Sequence, residues 1–192
     1  MELRYSPGAV KIEKRAESES NTLVGYASVF NLKSQDLGGF YEIIAPGAFN
    51  DVLENDVRAL FNHNENFVLG RTKSGTLRLS TDETGLRYEI DLADSNMAND
   101  IARSVERGDI DGSSFAFRIE SDLWEEDGEG NIIRIITKIA SLRDVGPVTY
   151  PAYLDASVAK RSLSDFIAKK TCVPELENDR LRKELDLLTK VF

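Results

Sequence analysis

The chain has one cysteine, one histidine, a deficit of basic charge and no long apolar run, and each shortage removes a class of explanation. Cys172 has no second cysteine with which to form an internal disulfide, and no CxxC or CxxH cluster is present to bind zinc, so its thiol reads as an ordinary unreactive side chain. No stretch approaches the roughly 20 apolar residues that a bilayer-crossing helix needs, and the opening segment "MELRYSPGAVKIEKRAESES" lacks an apolar signal core. The expectation is a chain that works in the cytosol or in something assembled there. With 24 Lys and Arg against 33 Asp and Glu, the formal charge is -9, which argues against a nucleic-acid partner and against an anionic membrane. The single His63 also excludes by count any arrangement of the Ser-His-His kind.

What is present suits one sizeable core. A length of 192 residues with 41% hydrophobic content is enough for one domain but hardly for two. From "TLVGYASVF" onward the pattern is short strands separated by turns and interrupted by two helical stretches. Leu77 and Leu79 alternate before the turn "TDETG", and Leu86, Tyr88, Ile90 and Leu92 alternate after it, which predicts a hairpin with one buried face. A second hairpin is expected where "FAFRIESDLW" and "NIIRIITKIASL" flank "EEDGEG". Between them, Met97, Ile101 and Val105 recur every four residues, with Asp94 or Ser95 as cap and Gly108 at the end, so an amphipathic helix is expected. A short helix is expected at "PGAFNDVLEN", with Phe49, Val52 and Leu53 facing inward. Near the end, "KRSLSDFIAKK" reads as a helix, and Leu181, Leu185, Leu188 and Phe192 form a short heptad-like seam that serves either self-association or packing onto the same domain.

The candidate chemistry rests on three segments. If "VRALFNHNENFVLGRT" is a strand, Val57, Ala59, Phe61 and His63 share a face and the imidazole sits at the strand end. In "GDIDGSSFAFRI", alternation puts Phe115, Phe117 and Ile119 on one face and Ser114, Ala116 and Arg118 on the other, while Ser113 and Ser114 beside a glycine also suit a plain turn. Imidazole is the usual base for a serine nucleophile because it titrates near neutral pH. A third group would then have to be a carboxylate or another polar residue. Asp144 lies between apolar Leu142 and Val145 in "SLRDVGPVTYPAY" and needs a partner, which could be Arg143, Arg118 or another basic residue, or His63.

The ordered set "LVGYASVFN", "YEIIAPGAFNDVL", "VRALFNHNENFVLGRT", "GTLRLSTDETGLRYEIDL", "VERGDIDGSSFAF" and "LRDVGPVTYPAY" resembles the HK97-like prohead (capsid maturation) serine proteases of tailed phages, over residues 20–156. The resemblance implies an α+β fold: a small β-barrel with surrounding helices, similar to the herpesvirus assembly protease. It also implies a protease domain over residues 1–160 and a C-terminal helical segment, 161–192, that serves interaction or is removed by self-processing. By the same resemblance the chain is a serine endopeptidase inside the immature capsid in the host cytoplasm. It would cut scaffold sequence from the major capsid protein and also cut itself, self-associate, and need no cofactor or metal.

Carried over by motif, His63 of "FNHN" matches the general base, Ser114 of "GSSFAF" the nucleophile, and Asp144 of "LRDVGPVT" the acidic position that orients the histidine. The sequence departs from the family's usual "GMSFGF" at Ser113 and Ala116, and from "EVSPVT" at Asp144 and Gly146. Asp for Glu shortens the third side chain by one methylene. Arg71 of the intact "LGRT" either helps shape the site or is a surface charge. Two other readings compete: a capsid-assembly module on the same fold with the catalytic residues unused, and an unrelated β-rich domain binding a cation. The acidic turn "EEDGEG" lacks the D-x-D-x-D-G spacing that the last would need.

Overall fold

The computed structural model describes residues 1–6, 10–14, 21–150, 163, 164 and 166–168. Their elements are β1 (Glu2–Ser6), β2 (Val10–Lys14), β3 (Asn21–Val29), β4 (Tyr41–Ile44), β5 (Arg58–Leu60), β6 (Val68–Arg71), β7 (Leu77–Thr81), β8 (Gly85–Asp91), α1 (Asn96–Glu106), β9 (Gly112–Glu126) and β10 (Ile132–Val148). The fold is mixed α+β and mostly strand.

Both expected hairpins form. β7 and β8 pair antiparallel, and the buried apolar side chains of β8, Leu86, Tyr88 and Ile90, are the alternating set that the sequence marks. β9 and β10 form a much longer antiparallel ladder, with register shifts between Ile136 and Asp144 that mark bulges and bend the pair. Its connection is held by Asp127, whose Oδ1 accepts from the backbone N–H of Glu129 at 3.0 Å and of Asn131 at 2.8 Å. The Asn131 side chain first, then these backbone bonds and Lys33, hold the Asp127 carboxyl well below its ordinary range. The acidic turn is therefore satisfied by its own residues. Among the described residues no group of three His, Cys, Asp or Glu is placed to hold a metal ion.

The strands make two sheets, a six-stranded one in the order β1-β9-β10-β5-β6 with β4 also on β10, and a four-stranded one in the order β2-β3-β8-β7. The expected closed barrel is not what the described residues form. β1 takes the edge of β9, and it meets β3 through a side-chain bond, Ser6 Oγ to the Ala27 carbonyl at 3.1 Å, rather than through a ladder. Two open sheets thus share one core. Leu23 and Ala27 of β3, Tyr88 and Ile90 of β8, Phe115 and Phe117 of β9, and Ile136, Ile139 and Val145 of β10 meet there. Helix α1 packs onto the same core through Ala98, Ile101, Ala102 and Val105. Of the two expected caps it uses Ser95, which accepts from the Ala98 N–H at 3.3 Å. Among the described residues every buried side-chain polar atom has a hydrogen-bond partner.

The short helix expected at "PGAFNDVLEN" is instead a chain of turns. Ala48, Asn50, Val52 and Asn55 each donate to the carbonyl three residues back, and Gly47 has φ 86, a left-handed conformation that interrupts an α-helix. The apolar residues still face inward, with Phe49 and Val52 buried. In the expected "KRSLSDFIAKK" helix, residues 163, 164 and 166–168 are helical. There Phe166 stacks on Trp124 with ring centroids 5.1 Å apart, and Leu163 joins the small cluster of Leu37 and Phe40. The heptad seam from Leu181 to Phe192 lies outside the described residues. No helix among the described residues is long and apolar enough to cross a membrane.

The Asp127 turn makes a pH-dependent contribution. Its folded pKa is depressed, so its stabilisation is present above the ordinary carboxylate range and fades as pH falls toward the folded value. Asp127→Ala is expected to melt below the wild type at pH 7, and the gap is expected to narrow at pH 3 in thermal melts followed by circular dichroism.

Candidate active site

Strand β10 is the frame of the site. On one side its antiparallel ladder with β9 sets Gly146 opposite Ser114 and Asp144 opposite Ala116. On the other side β5 runs parallel to it, with Arg58 beside Asp144 and Ala59 beside Val145. The chain leaving β5 must therefore pass over the end of the β9–β10 ladder. The expected strand through His63 stops at Leu60, and residues Phe61–His63 form a 3-10 turn, with Asn62 at φ 54 and His63 at φ 55. Asn and His are among the residues that enter the left-handed region most readily, but the conformation costs about 1 kcal/mol or more each and must be held by its surroundings. Asn62 supplies that hold. Its side-chain carbonyl accepts from the Thr149 N–H at 2.8 Å and its amide donates to Thr149 Oγ1 at 3.1 Å, tying the turn to the end of β10.

The turn delivers His63 onto both other residues. His63 Nδ1 lies 2.5 Å from Asp144 Oδ1, and His63 Nε2 lies 2.7 Å from Ser114 Oγ. The three residues singled out in the sequence are thus brought together in the order carboxylate, imidazole, hydroxyl. Asp144 is 3% exposed, and of the partners open to it in the sequence the structure gives it His63, since Arg143 pairs with Glu65 on the surface. An ionised carboxylate can only accept, so Nδ1 carries the proton, and in the neutral ring Nε2 is left free to accept from Ser114. Ser114 Oγ has a second acceptor within reach, the Arg4 carbonyl of β1, also at 2.7 Å. The hydroxyl has one proton, so these two acceptors compete for it.

Ser113 does different work. It points into the core, where its Oγ is 3.0 Å from the Tyr88 hydroxyl and 3.3 Å from the Gly146 carbonyl oxygen, and both Ser113 and Tyr88 are fully buried. Burial holds the Tyr88 phenol neutral, well above its ordinary range. Arg71 turns away from the site and forms a two-bond ion pair with Asp56 at the surface, 2.7 and 2.5 Å. Beside Asp144 is a cavity of about 360 Å³ lined by Arg58, Leu60, Glu65, Val68 and Arg143.

Three contributors escaped the sequence reading. Gly146 leaves room for the turn: a Cβ there would stand 2.1 Å from the Leu60 carbonyl oxygen, two residues before Asn62. Asn62 holds the turn, and the polar "FNHN" was its only signal. β1 supplies the Arg4 carbonyl, yet its residues carry no clean alternation, with burial intermediate from Glu2 to Tyr5.

Two substitutions test this division of labour. Ser113→Ala is expected to cost about 1 to 2 kcal/mol in denaturant unfolding, because the buried Tyr88 hydroxyl loses a partner, while fluorophosphonate labelling of the folded protein persists. Gly146→Ala is expected to push the Leu60 turn off the ladder and lower the labelling rate about 10²-fold, as small misplacements of a base do.

Comparison with known proteins bears on what this arrangement is. No solved structure matches the chain significantly. Among curated proteins, the prohead protease of Enterobacteria phage HK97 is 30% identical over 162 residues, which is 82% of this chain and 67% of that protein. The family model described as caudovirus prohead serine protease matches residues 9–169, a span that includes His63, Ser114 and Asp144. The chain belongs to the caudovirus prohead serine protease family.

Proposed function

We propose that the chain is an active serine endopeptidase of phage capsid maturation, with Ser114 as nucleophile, His63 as general base and acid, and Asp144 as the group that orients the imidazole. The observation that carries the reading is the continuous contact from Asp144 through His63 to Ser114, at 2.5 and 2.7 Å. In the reaction, Ser114 Oγ bonds to the scissile carbonyl carbon as its proton passes to His63 Nε2. Asp144 accepts from Nδ1–H and stabilises the imidazolium that results. The proton then goes to the leaving amine as the peptide C–N bond breaks, which leaves an acyl ester on Ser114. Water deprotonated by the same imidazole releases the second product and restores the hydroxyl. Asp144 meets Nδ1 directly although its side chain is shorter than the family's usual glutamate, which supports its place in the set.

The substrate in this reading is the scaffold portion of the major capsid protein, together with the protease itself, cut inside the immature capsid in the host cytoplasm. Family membership and the resemblance of the motifs support this. On the same basis the fold belongs with the herpesvirus assembly protease type. Residues 1–160 act as the protease domain and 161–192 as an interaction or self-processed segment, and the molecules associate with one another during assembly.

The test is the intact mass of the chain over time, alone and co-expressed with its cognate capsid protein. Wild type is expected to yield fragments of both. Ser114→Ala and His63→Ala are expected to abolish them, a loss on the order of 10⁴-fold or more, and Asp144→Asn to slow them about 10⁴-fold by favouring the wrong tautomer. Uncut capsid protein with wild-type enzyme would instead favour the assembly-module reading.

A further inference from the structure

The first strand has no part in the chemistry above, yet it touches the reacting atom. β1 lies antiparallel along the edge of β9 that carries the nucleophile, with Tyr5 opposite Ser114 and Ser6 opposite Ser113. With β1 in place Ser114 is 0% exposed. The Arg4 carbonyl stands as close to Ser114 Oγ as His63 Nε2 does, and whenever it holds the hydroxyl proton the base does not. A carbonyl carbon of another chain has no path to Oγ from that side while β1 remains. The resting molecule therefore has an assembled site whose nucleophile is covered and partly turned to the wrong acceptor.

The way β1 is held resembles the binding of a peptide more than the packing of a core strand. Its side chains from Glu2 to Tyr5 all keep some exposure, even Arg4 and Glu2, whose side chains are 13% and 12% exposed. Besides the ladder with β9 and the Ser6 bond to Ala27, one side chain anchors it: Arg4 Nε and Nη2 reach the two oxygens of Glu42 at 2.5 and 2.7 Å. Glu42 is 2% exposed, and it also lies 3.5 Å from Arg134, which bonds Asp122 at 2.6 Å. Without β1 the cluster would lose Arg4 and Glu2 together, leaving its net charge unchanged, but the buried Glu42 would exchange a close two-bond partner for the longer Arg134 contact alone. Beside the strand is a cavity of about 350 Å³, bordered by Leu3, Arg4, Glu42, Ile44 and Phe115. An edge strand next to open space is the usual geometry for strand addition, in which main-chain bonds supply affinity.

We propose that the β9 edge from Ser113 to Phe117 is the docking strand for the protein substrate, which adds as an antiparallel strand in place of β1, and that β1 is the built-in competitor for that edge. The proposal rests on Ser114 being the nucleophile. An extended, unfolded segment can take this place, whereas a folded surface cannot, which selects linkers and scaffold segments over compact domains. The Arg4–Glu42 pair is then the latch that sets how often the edge is free.

A reversible cross-link tests this without deleting the strand. In a Cys172→Ser background, Leu3→Cys with Ala116→Cys puts two thiols at directly opposed ladder positions, within disulfide reach for either kind of antiparallel pair. The oxidised protein, its bond verified by intact mass, is expected to react with a fluorophosphonate and to cut the capsid protein at least about 10-fold more slowly than the same protein reduced, since only molecules with β1 displaced are competent. Reduction is expected to restore both rates. Equal rates in the two states overturn the proposal. Arg4→Ala, checked for native melting, is expected to speed labelling, and unchanged or slower labelling of the folded variant counts against the latch. A Ser114→Ala control separates the two readings. Labelling that persists in it removes the nucleophile assignment and the proposal with it, whereas Ser114-dependent labelling that ignores the disulfide removes only the docking role of the β9 edge.

Discussion

The antiparallel ladder between β9 and β10 is the interaction on which everything else in this molecule is hung. It joins Gly112–Glu126 to Ile132–Val148, and its far edge gives β4 and then β5 a place to pair in parallel. Two of the three residues of the site, Ser114 and Asp144, sit on this ladder near one another in register, and the third is delivered by the turn that follows β5. Their geometry therefore follows from backbone hydrogen bonding, which is stiff, rather than from flexible side chains searching for each other. Rigid placement of this kind keeps the imidazole and the hydroxyl within bonding reach without a fresh loss of side-chain entropy.

The ladder is strengthened on its apolar side and made conditional on its polar side. Phe115 and Phe117 stack at 4.6 Å between centroids and Phe115 meets Phe49 edge-on at 5.6 Å, so the face opposite Ser114 is locked by aromatic packing. On the other side is a buried charge cluster of Glu2, Arg4, Glu42, Asp122 and Arg134. Burial pushes the Glu42 carboxyl up despite its two arginines, while burial works against the Arg4 charge and is outweighed by Glu42 and Glu2, which raise it. Buried ion pairs are weak stabilisers compared with apolar packing, but they are costly to break one partner at a time.

The stretches legible in the sequence were those where a periodic pattern meets a single solvent boundary. The β7–β8 hairpin and α1 obey their alternation or their four-residue spacing because each presents one face to the core, whereas the β9–β10 hairpin forms as expected but is buried on both faces at its site end, from Gly112 to Phe117 and from Asp144 to Val148. The failures have local causes. "PGAFNDVLEN" carries the apolar spacing of a helix, but Gly47 in the left-handed region and bonds to the third residue back make it a series of turns that bury the same Phe49 and Val52. "VRALFNHN" alternates like a strand, yet the ladder with β10 ends at Val145 and Asn62 finds Thr149, so the chain turns two residues before His63. The barrel expected from family resemblance depends on which edges pair, and no single segment encodes that.

By itself the sequence determined which residues could do chemistry: one histidine, a serine facing away from the phenylalanines, and a carboxylate among apolar neighbours that had to find a partner. It could do so because residue type and short-range alternation fix chemical capacity and face. Tertiary structure alone decided that Asp144 turns to His63 rather than to an arginine, that Ser113 serves Tyr88 while Ser114 serves the imidazole, and that β1 covers Ser114. Those choices depend on segments from 25 to 81 residues apart in the chain, and β1 from further still, meeting in one register, and register is set by the sum of the ladder bonds and the core rather than by any residue in it.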